Sequence, residues 1–176
     1  SAASDVYKRQ LQAMAVIENT KVTHVKPHGA LNNMSSESKD IAEAITRGIS
    51  GVDKNLILVA VAGSYLFYSG IDSGLKVASE AYADRSYEDD GNMTRRQFAH
   101  AMIRNEQLAV KQVRSIVLDG IIIANSGKKI TVSVYTICIH GDEPTGPAIA
   151  SEVKEMLEKE GVILKPLPEM QLRQQK

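Results

Sequence analysis

The feature that most constrains the fold is a continuous apolar run, LILVAVA at residues 56–62, followed directly by Gly63 and Ser64. A run of this length is typical of a strand buried on both faces, as in a parallel sheet covered by helices. The glycine and serine then predict a short helix that ends near Gly70. A buried strand followed by a helix is the repeating unit of an α/β protein.

The same order of strand and helix recurs along the chain. Further strands are predicted at residues 22–25, 76–83 and 130–139. Helices are predicted wherever apolar side chains repeat at helical spacing, which occurs at residues 11–17, 41–49, 105–118 and 149–161. Residues 120–129 suggest a short ribbon or loop, and the irregular polar stretch 86–97 is typical of a functional loop. The sequence therefore predicts an α/β fold with a parallel sheet.

Composition limits the classes of function. The chain has 176 residues, of which 43% are hydrophobic, and its 21 basic and 21 acidic side chains cancel. Zero net charge gives no support to electrostatic capture of nucleic acid or anionic lipid, so a small molecule or a protein is the expected partner. The lone cysteine, Cys138, lies in an apolar segment and predicts a core thiol in a reducing, cytoplasmic location.

The chain is predicted to form one domain between two short terminal segments. Residues 1–10 lack periodicity and are interpreted as a non-native leader, residues 11–166 as the folded domain, and residues 167–176 as a polar tail.

Charged residues follow three of the four predicted strands. The pairs are Lys26 and His28, then Asp84 and Arg85, then His140 and Asp142. Because ligands gather at the carboxyl ends of parallel strands, we expect these three clusters to converge on one rim.

Each cluster allows a chemical and a structural interpretation. Lys26 and His28 could polarise a carbonyl or phosphoryl oxygen and move a proton, or they could simply form a solvated turn. Asp84 and Arg85 could orient a carboxylate or phosphate, or form an ordinary surface ion pair. His140 precedes a helix predicted to begin near Pro144, whose N-terminus could bind an anion.

The alternative at that third cluster is simple helix capping by Asp142. A metal site built from these His and Asp residues would be incomplete, so the need for a divalent metal is left open.

Three motifs, in this order and at similar spacing, resemble the LamB/YcsF family: VKPHGAL at 25–31, EAYADRSY at 80–87 and ICIHGD at 137–142. The resemblance extends from Leu11 to about Leu164. It implies the C-terminal part of an irregular β/α barrel related to the polysaccharide deacetylase fold.

The resemblance also implies a function. The chain would belong to the A subunit of an ATP-dependent 5-oxoprolinase, which opens 5-oxo-L-proline to L-glutamate together with subunits B and C. Matching the motifs gives two sets of site residues. The expected catalytic residues are His28, Asp84, His140 and Asp142, and the expected substrate- or ATP-binding residues are Lys26, Glu80, Arg85 and Arg96.

The sequence departs from the family pattern in three respects. Asn32 stands where family members usually have tyrosine, and Arg95, Arg96, Ala99 and His100 replace a proline- and glycine-containing loop. The family's first third, with its acidic first strand, does not occur in the chain, so we expect a fragment that is inactive by itself.

Two rival functions stay open. One is a metal-dependent amide or ester hydrolase acting on a carbohydrate, as the related deacetylase fold would allow. The other is a non-catalytic subunit that binds the ligand for a partner.

Overall fold

The structure, a computed structural model, describes residues 2–172. In chain order its helices and strands are α1 Ala2–Ile17, β1 His24–Val25, α2 Ala30–Glu37, α3 Lys39–Val52, β2 Ile57–Val61, α4 Tyr65–Asp72, β3 Lys76–Tyr82, α5 Glu106–Arg114, β4 Ile121–Ile123, β5 Lys129–Thr131, β6 Thr136–Cys138 and α6 Gly146–Lys159. Within these residues, the larger sheet has the strand order β1-β2-β3-β6. The predicted α/β class is confirmed.

The described chain forms two compact units, and the first comprises residues 2–60, 64–78 and 166–172. Strand β1 pairs in parallel with β2, so that His24 lies opposite Ile57 and Val25 opposite Leu58. All five residues of β2 are buried, as the apolar run predicts. The core of this unit is formed by α3, α4 and the buried side chains of β2, including Leu58 and Ala60.

Close packing in this unit requires a glycine on α4. A β-carbon at Gly70 would lie 2.7 Å from Leu58 Cδ2 and 2.8 Å from Val77 Cγ2. Ser64 begins this helix as predicted, because its hydroxyl accepts the Phe67 N–H at 3.1 Å.

The second unit comprises residues 61–63 and 79–165. Here β3 pairs in parallel with β6, with Glu80 opposite Thr136 and Tyr82 opposite Cys138. Strands β4 and β5 form an antiparallel hairpin. Helices α5 and α6 pack through Ala109, Val113, Ile149, Val153 and Leu157.

The structure corrects several predicted boundaries. The apolar run 130–139 is not one strand, because β5 pairs antiparallel with β4 whereas β6 pairs parallel with β3, and residues 132–135 connect the two. The first strand is limited to His24–Val25, and α1 begins at Ala2 rather than at Leu11. Helix α5 ends at Arg114 and continues as a π turn, Ser115–Asp119, before Gly120.

Helix α2 was not predicted. Half of its sequence ALNNMSSE is Asn or Ser, residues that favour helix caps and turns over helix interiors. The residues that the helix buries are the polar Asn32, Ser35 and Ser36, so the sequence has no periodic apolar pattern here. The hydroxyls of Ser35 and Ser36 donate to the Asn32 carbonyl within the helix.

Within residues 2–172, no helix combines the length and apolar character needed to cross a bilayer.

Candidate active site

The candidate site begins where β3 ends. Ala83 extends the pairing of β3 with β6, since its N–H donates to the Cys138 carbonyl at 3.0 Å. Asp84 follows and is only 2% exposed. A carboxylate so deeply buried needs hydrogen-bond donors to offset the loss of water.

His140 supplies those donors. Its backbone N–H donates to Asp84 Oδ2 at 2.8 Å, and its ring Nδ1 lies 3.0 Å from both Oδ1 and Oδ2. The His140 and Asp84 side chains are 12% and 3% exposed, respectively. The second and third predicted clusters therefore meet through Asp84 and His140.

This geometry determines which ring nitrogen of the neutral imidazole carries the proton. An ionised carboxylate only accepts hydrogen bonds, so Nδ1 of His140 must donate to Asp84. Nε2 is then left with a lone pair, and no side chain among residues 9–172 forms a hydrogen bond with it. The pair can thus accept a proton at Nε2 while the carboxylate stabilises the resulting imidazolium.

The environment keeps Asp84 ionised. Burial by itself raises the pKa of the carboxyl group, but hydrogen bonds from the ring and backbone of His140, together with the charge of its ring, outweigh that effect. The pKa therefore lies below its ordinary value of 3.8.

Tyr82 lies beside this pair, and its phenol forms a hydrogen bond with Glu80. The Tyr82 ring stacks on the His140 ring, with centroids 5.6 Å apart and planes 21° from parallel. Burial, and then the carboxylate of Glu80, which accepts a hydrogen bond from the phenol, raise the pKa of Tyr82. Both side chains are buried, so the phenol stays protonated.

Arg85 is also buried, at 3% exposed, and this excludes the surface ion pair considered for it. Its Nε donates to the Ala101 carbonyl at 3.3 Å, and its Nη2 donates to the Thr94 carbonyl. Burial and the nearby Arg96 lower the pKa of Arg85, against the opposing effect of Asp84. The guanidinium therefore fixes the loop that carries Arg96.

Two ion pairs hold the turn after His140. Arg96 Nη1 lies 3.4 Å from Asp142 Oδ2, and Arg104 Nε lies 2.9 Å from Glu143 Oε2. The alternative of capping by Asp142 is wrong, because the residue at the cap of α6 is Thr145 and no side chain caps that helix. Arg96 is about half exposed, so this cation can reach a ligand in solvent.

Lys26 and His28 lie in the first unit, between β1 and α2. Lys26 is half-buried and His28 is exposed, and Gly29 begins α2 with a φ of 61°. The convergence of this cluster with the other two stays a prediction.

One polar residue near the site escaped sequence reasoning. Gln112 on α5 donates through Nε2 to the carbonyls of Tyr82 and Arg85, each at 2.8 Å, and of Ala83 at 3.2 Å. It flanks the buried stripe of α5, which contains Ala109 and Val113. A polar side chain beside the apolar face of a helix was the only available signal.

A cavity of about 400 Å³ borders α5 and is lined by residues that include Ile103, Leu108, Gln112 and Ile121. Neither Asp84 nor His140 lines this cavity. Within residues 2–172, no group of three or more His, Cys, Asp and Glu side chains could hold a metal ion.

The depressed pKa of Asp84 predicts a pH-dependent stability. A carboxyl group whose pKa is lower in the folded chain stabilises the fold above its unfolded value, and this contribution is lost as the pH falls through the folded value. We expect Asp84→Asn to lower the free energy of unfolding by about 1–3 kcal/mol near pH 7. The difference from wild type should shrink once the pH falls below the ordinary value of 3.8.

Urea unfolding at a series of pH values measures this difference. Asp142→Asn is the control, because its carboxylate is 62% exposed and forms a surface ion pair with Arg96. An Asp84→Asn deficit that is the same at every pH would contradict the assignment.

The turn after His140 requires a glycine at the start of α6. A β-carbon at Gly146 would clash with the His140 carbonyl oxygen, whereas one at Gly141 would meet no atom within 4 Å. Gly146→Ala should therefore displace His140 and destabilise the fold by about 1–3 kcal/mol.

Gly141→Ala is the matched control and should leave the unfolding midpoint nearly unchanged. Thermal or urea unfolding of both variants makes the comparison. Equal stability of the two would show that the turn is not packed as described.

Comparison with known proteins places this chain in a family. The model of the LamB/YcsF family matches residues 5–172. The 5-oxoprolinase A subunit of Natranaerobius thermophilus is 40% identical over 146 residues, which are 83% of this chain and 57% of the relative. That of Staphylococcus haemolyticus is 38% identical over 157 residues, which are 89% of this chain and 63% of the relative.

A solved structure agrees with these relatives. The crystal structure of a lactam utilization protein from Thermus thermophilus superimposes with a TM-score of 0.80 at 32% identity, covering 88% of this chain and 62% of that protein. The chain thus spans about three fifths of the length of the relatives it matches. On the family match and these relatives, the chain belongs to the LamB/YcsF family.

Proposed function

We propose that this chain carries part of the active site of a 5-oxoprolinase A subunit. The reaction would be the opening of 5-oxo-L-proline to L-glutamate with cleavage of ATP, performed together with partner subunits B and C in the cytoplasm. The names of the relatives and of the structural neighbour support the substrate class, which is a lactam. The observation that carries the proposal is the buried contact between Asp84 and His140.

A lactam needs both activation and a base, because an amide carbonyl is a poor electrophile. Transfer of the ATP γ-phosphoryl group to the lactam oxygen would make the ring carbon open to attack by water. The ring C–N bond then breaks, the nitrogen takes a proton, and hydrolytic loss of phosphate leaves the new carboxylate of glutamate. The chain must therefore move protons at the ring carbon and the ring nitrogen.

His140 is suited to both proton transfers. Its Nε2 accepts a proton from the attacking water while Nδ1 stays bound to Asp84, and the imidazolium can return that proton to the ring nitrogen. Asp84 remains ionised and stabilises the positive charge that forms. The stacked Tyr82 ring limits rotation of the imidazole.

Cations would bind the anionic groups of the substrates. Arg96 is exposed and joined to Asp142 by a long ion pair, so a carboxylate or phosphate could replace that partner. Arg85 would add positive charge from its buried position, although two nitrogens of its guanidinium group are used to hold the loop. Lys26, His28, Glu80 and Asp142 remain proposed site residues, and ATP is the proposed co-substrate of the assembled enzyme.

Variants of the pair test this function. In the natural protein, co-produced with the partner subunits, we expect His140→Ala and Asp84→Asn to reduce ATP-dependent glutamate release by about 100-fold or more. The loss is expected because His140→Ala removes the base and Asp84→Asn removes the carboxylate that orients it. Release of glutamate and phosphate in the same reaction is the measurement.

His100→Ala is the matched control. His100 is an exposed histidine that stacks on Phe98, with ring centroids 5.8 Å apart, and its loss should leave turnover unchanged. Undiminished glutamate release in both variants of the pair would remove Asp84 and His140 from the reaction.

A further inference from the structure

The hydrogen bonds between β3 and β6 end in an unusual way. In the observed register the Ala83 N–H donates to the Cys138 carbonyl, so the next bond of a parallel pair would run from the His140 N–H to the Ala83 carbonyl. Instead, the His140 N–H donates to Asp84 Oδ2. The Asp84 carboxylate thus accepts the hydrogen bond that the Ala83 carbonyl would accept in a regular parallel pair.

This substitution leaves a carbonyl that needs another donor, and Gln112 supplies it. The Gln112 amide lies 3.2 Å from the Ala83 carbonyl and 2.8 Å from the carbonyls of Tyr82 and Arg85 on either side. The two hydrogens of one NH2 group are thus shared among three carbonyls around Asp84, of which that of Ala83 is the farthest. The fourth carbonyl of the segment, that of Asp84 itself, accepts the Ile103 N–H at 2.9 Å.

We propose that Gln112 is a positioning residue of the Asp84–His140 pair, acting through the backbone of residues 82–85. Without its amide, the carbonyl of Ala83 would compete with the Asp84 carboxylate for the His140 N–H. The inference rests on the proposed function in taking this pair as the reacting groups. Its main test nevertheless requires no turnover.

Gln112 is half-buried, so its side chain both fills space and donates hydrogen bonds, and the proposed role belongs to the hydrogen bonds. A residue of equal shape without donors would fill the same space, so packing of α5 against β3 would be retained. Gln112→Met provides that change. Gln107→Met is the matched control on the same helix, because Gln107 is exposed and donates to Glu152 Oε2 at 3.0 Å.

Two measurements on the folded variants test the proposal. Titration of the Asp84 carboxyl carbon by NMR should show its pKa moving up toward the ordinary value of 3.8 in Gln112→Met. Hydrogen exchange of the His140 amide should become about tenfold faster. Gln107→Met should change neither quantity.

Kinetics in the assembled enzyme give a third measurement. We expect Gln112→Met to lower kcat about tenfold with little change in KM, as a misplaced catalytic group would. If the titration and exchange change but no form of the assembled chain opens 5-oxoproline, the positioning role stands and the proposed function fails. Unchanged Asp84 titration and His140 exchange in a folded Gln112→Met would overturn the positioning role.

Gln112→Glu covers the case in which Gln112→Met does not fold. Its carboxylate matches the amide in shape and, at a pH high enough to keep it ionised beside these carbonyls, donates no hydrogen bond. Faster exchange of the His140 amide in this variant supports the proposal, and exchange equal to that of wild type overturns it.

Discussion

The site depends on one buried carboxylate that binds both the backbone and the ring of a single histidine. Asp84 accepts a hydrogen bond from the His140 backbone N–H, and each of its two carboxylate oxygens lies 3.0 Å from Nδ1 of the ring. These contacts fix the position of the turn, the orientation of the imidazole and its neutral tautomer together. Because the donors outweigh the cost of burial, the carboxylate remains ionised and able to stabilise a protonated ring.

The surrounding structure provides what this contact requires. The pairing of β3 with β6 stops one hydrogen bond early, so the His140 N–H donates to the Asp84 carboxylate. Gln112 donates to the Ala83 carbonyl that is left without that bond. Gly146 allows α6 to begin directly against the His140 carbonyl. Arg85, held to two loop carbonyls, joins the loop 86–105 to the same strand end. Local departures from regular pairing thus coincide with the groups capable of chemistry, as is common at functional sites.

Much of this could be predicted from the sequence, for identifiable reasons. Apolar runs and helical spacing indicated the α/β class, and the strand ends indicated Asp84 and His140, because parallel strands bring their carboxyl ends to one edge. The resemblance added Glu80 and Arg96, which spacing alone did not single out. The antiparallel hairpin was not predictable, since the run 130–139 changes its pairing partner without changing its apolar character. Gln112 was missed because its role depends on backbone carbonyls, which have no signature in sequence.

The proton on His140 tests the central claim most directly. Nitrogen-15 NMR of the imidazole in the folded chain, above the pH at which the ring is protonated, distinguishes the two neutral tautomers. We expect the proton on Nδ1, bound to Asp84, and a bare Nε2. A proton found on Nε2 would contradict the account, because the ring could then neither donate to the carboxylate nor accept a proton from water.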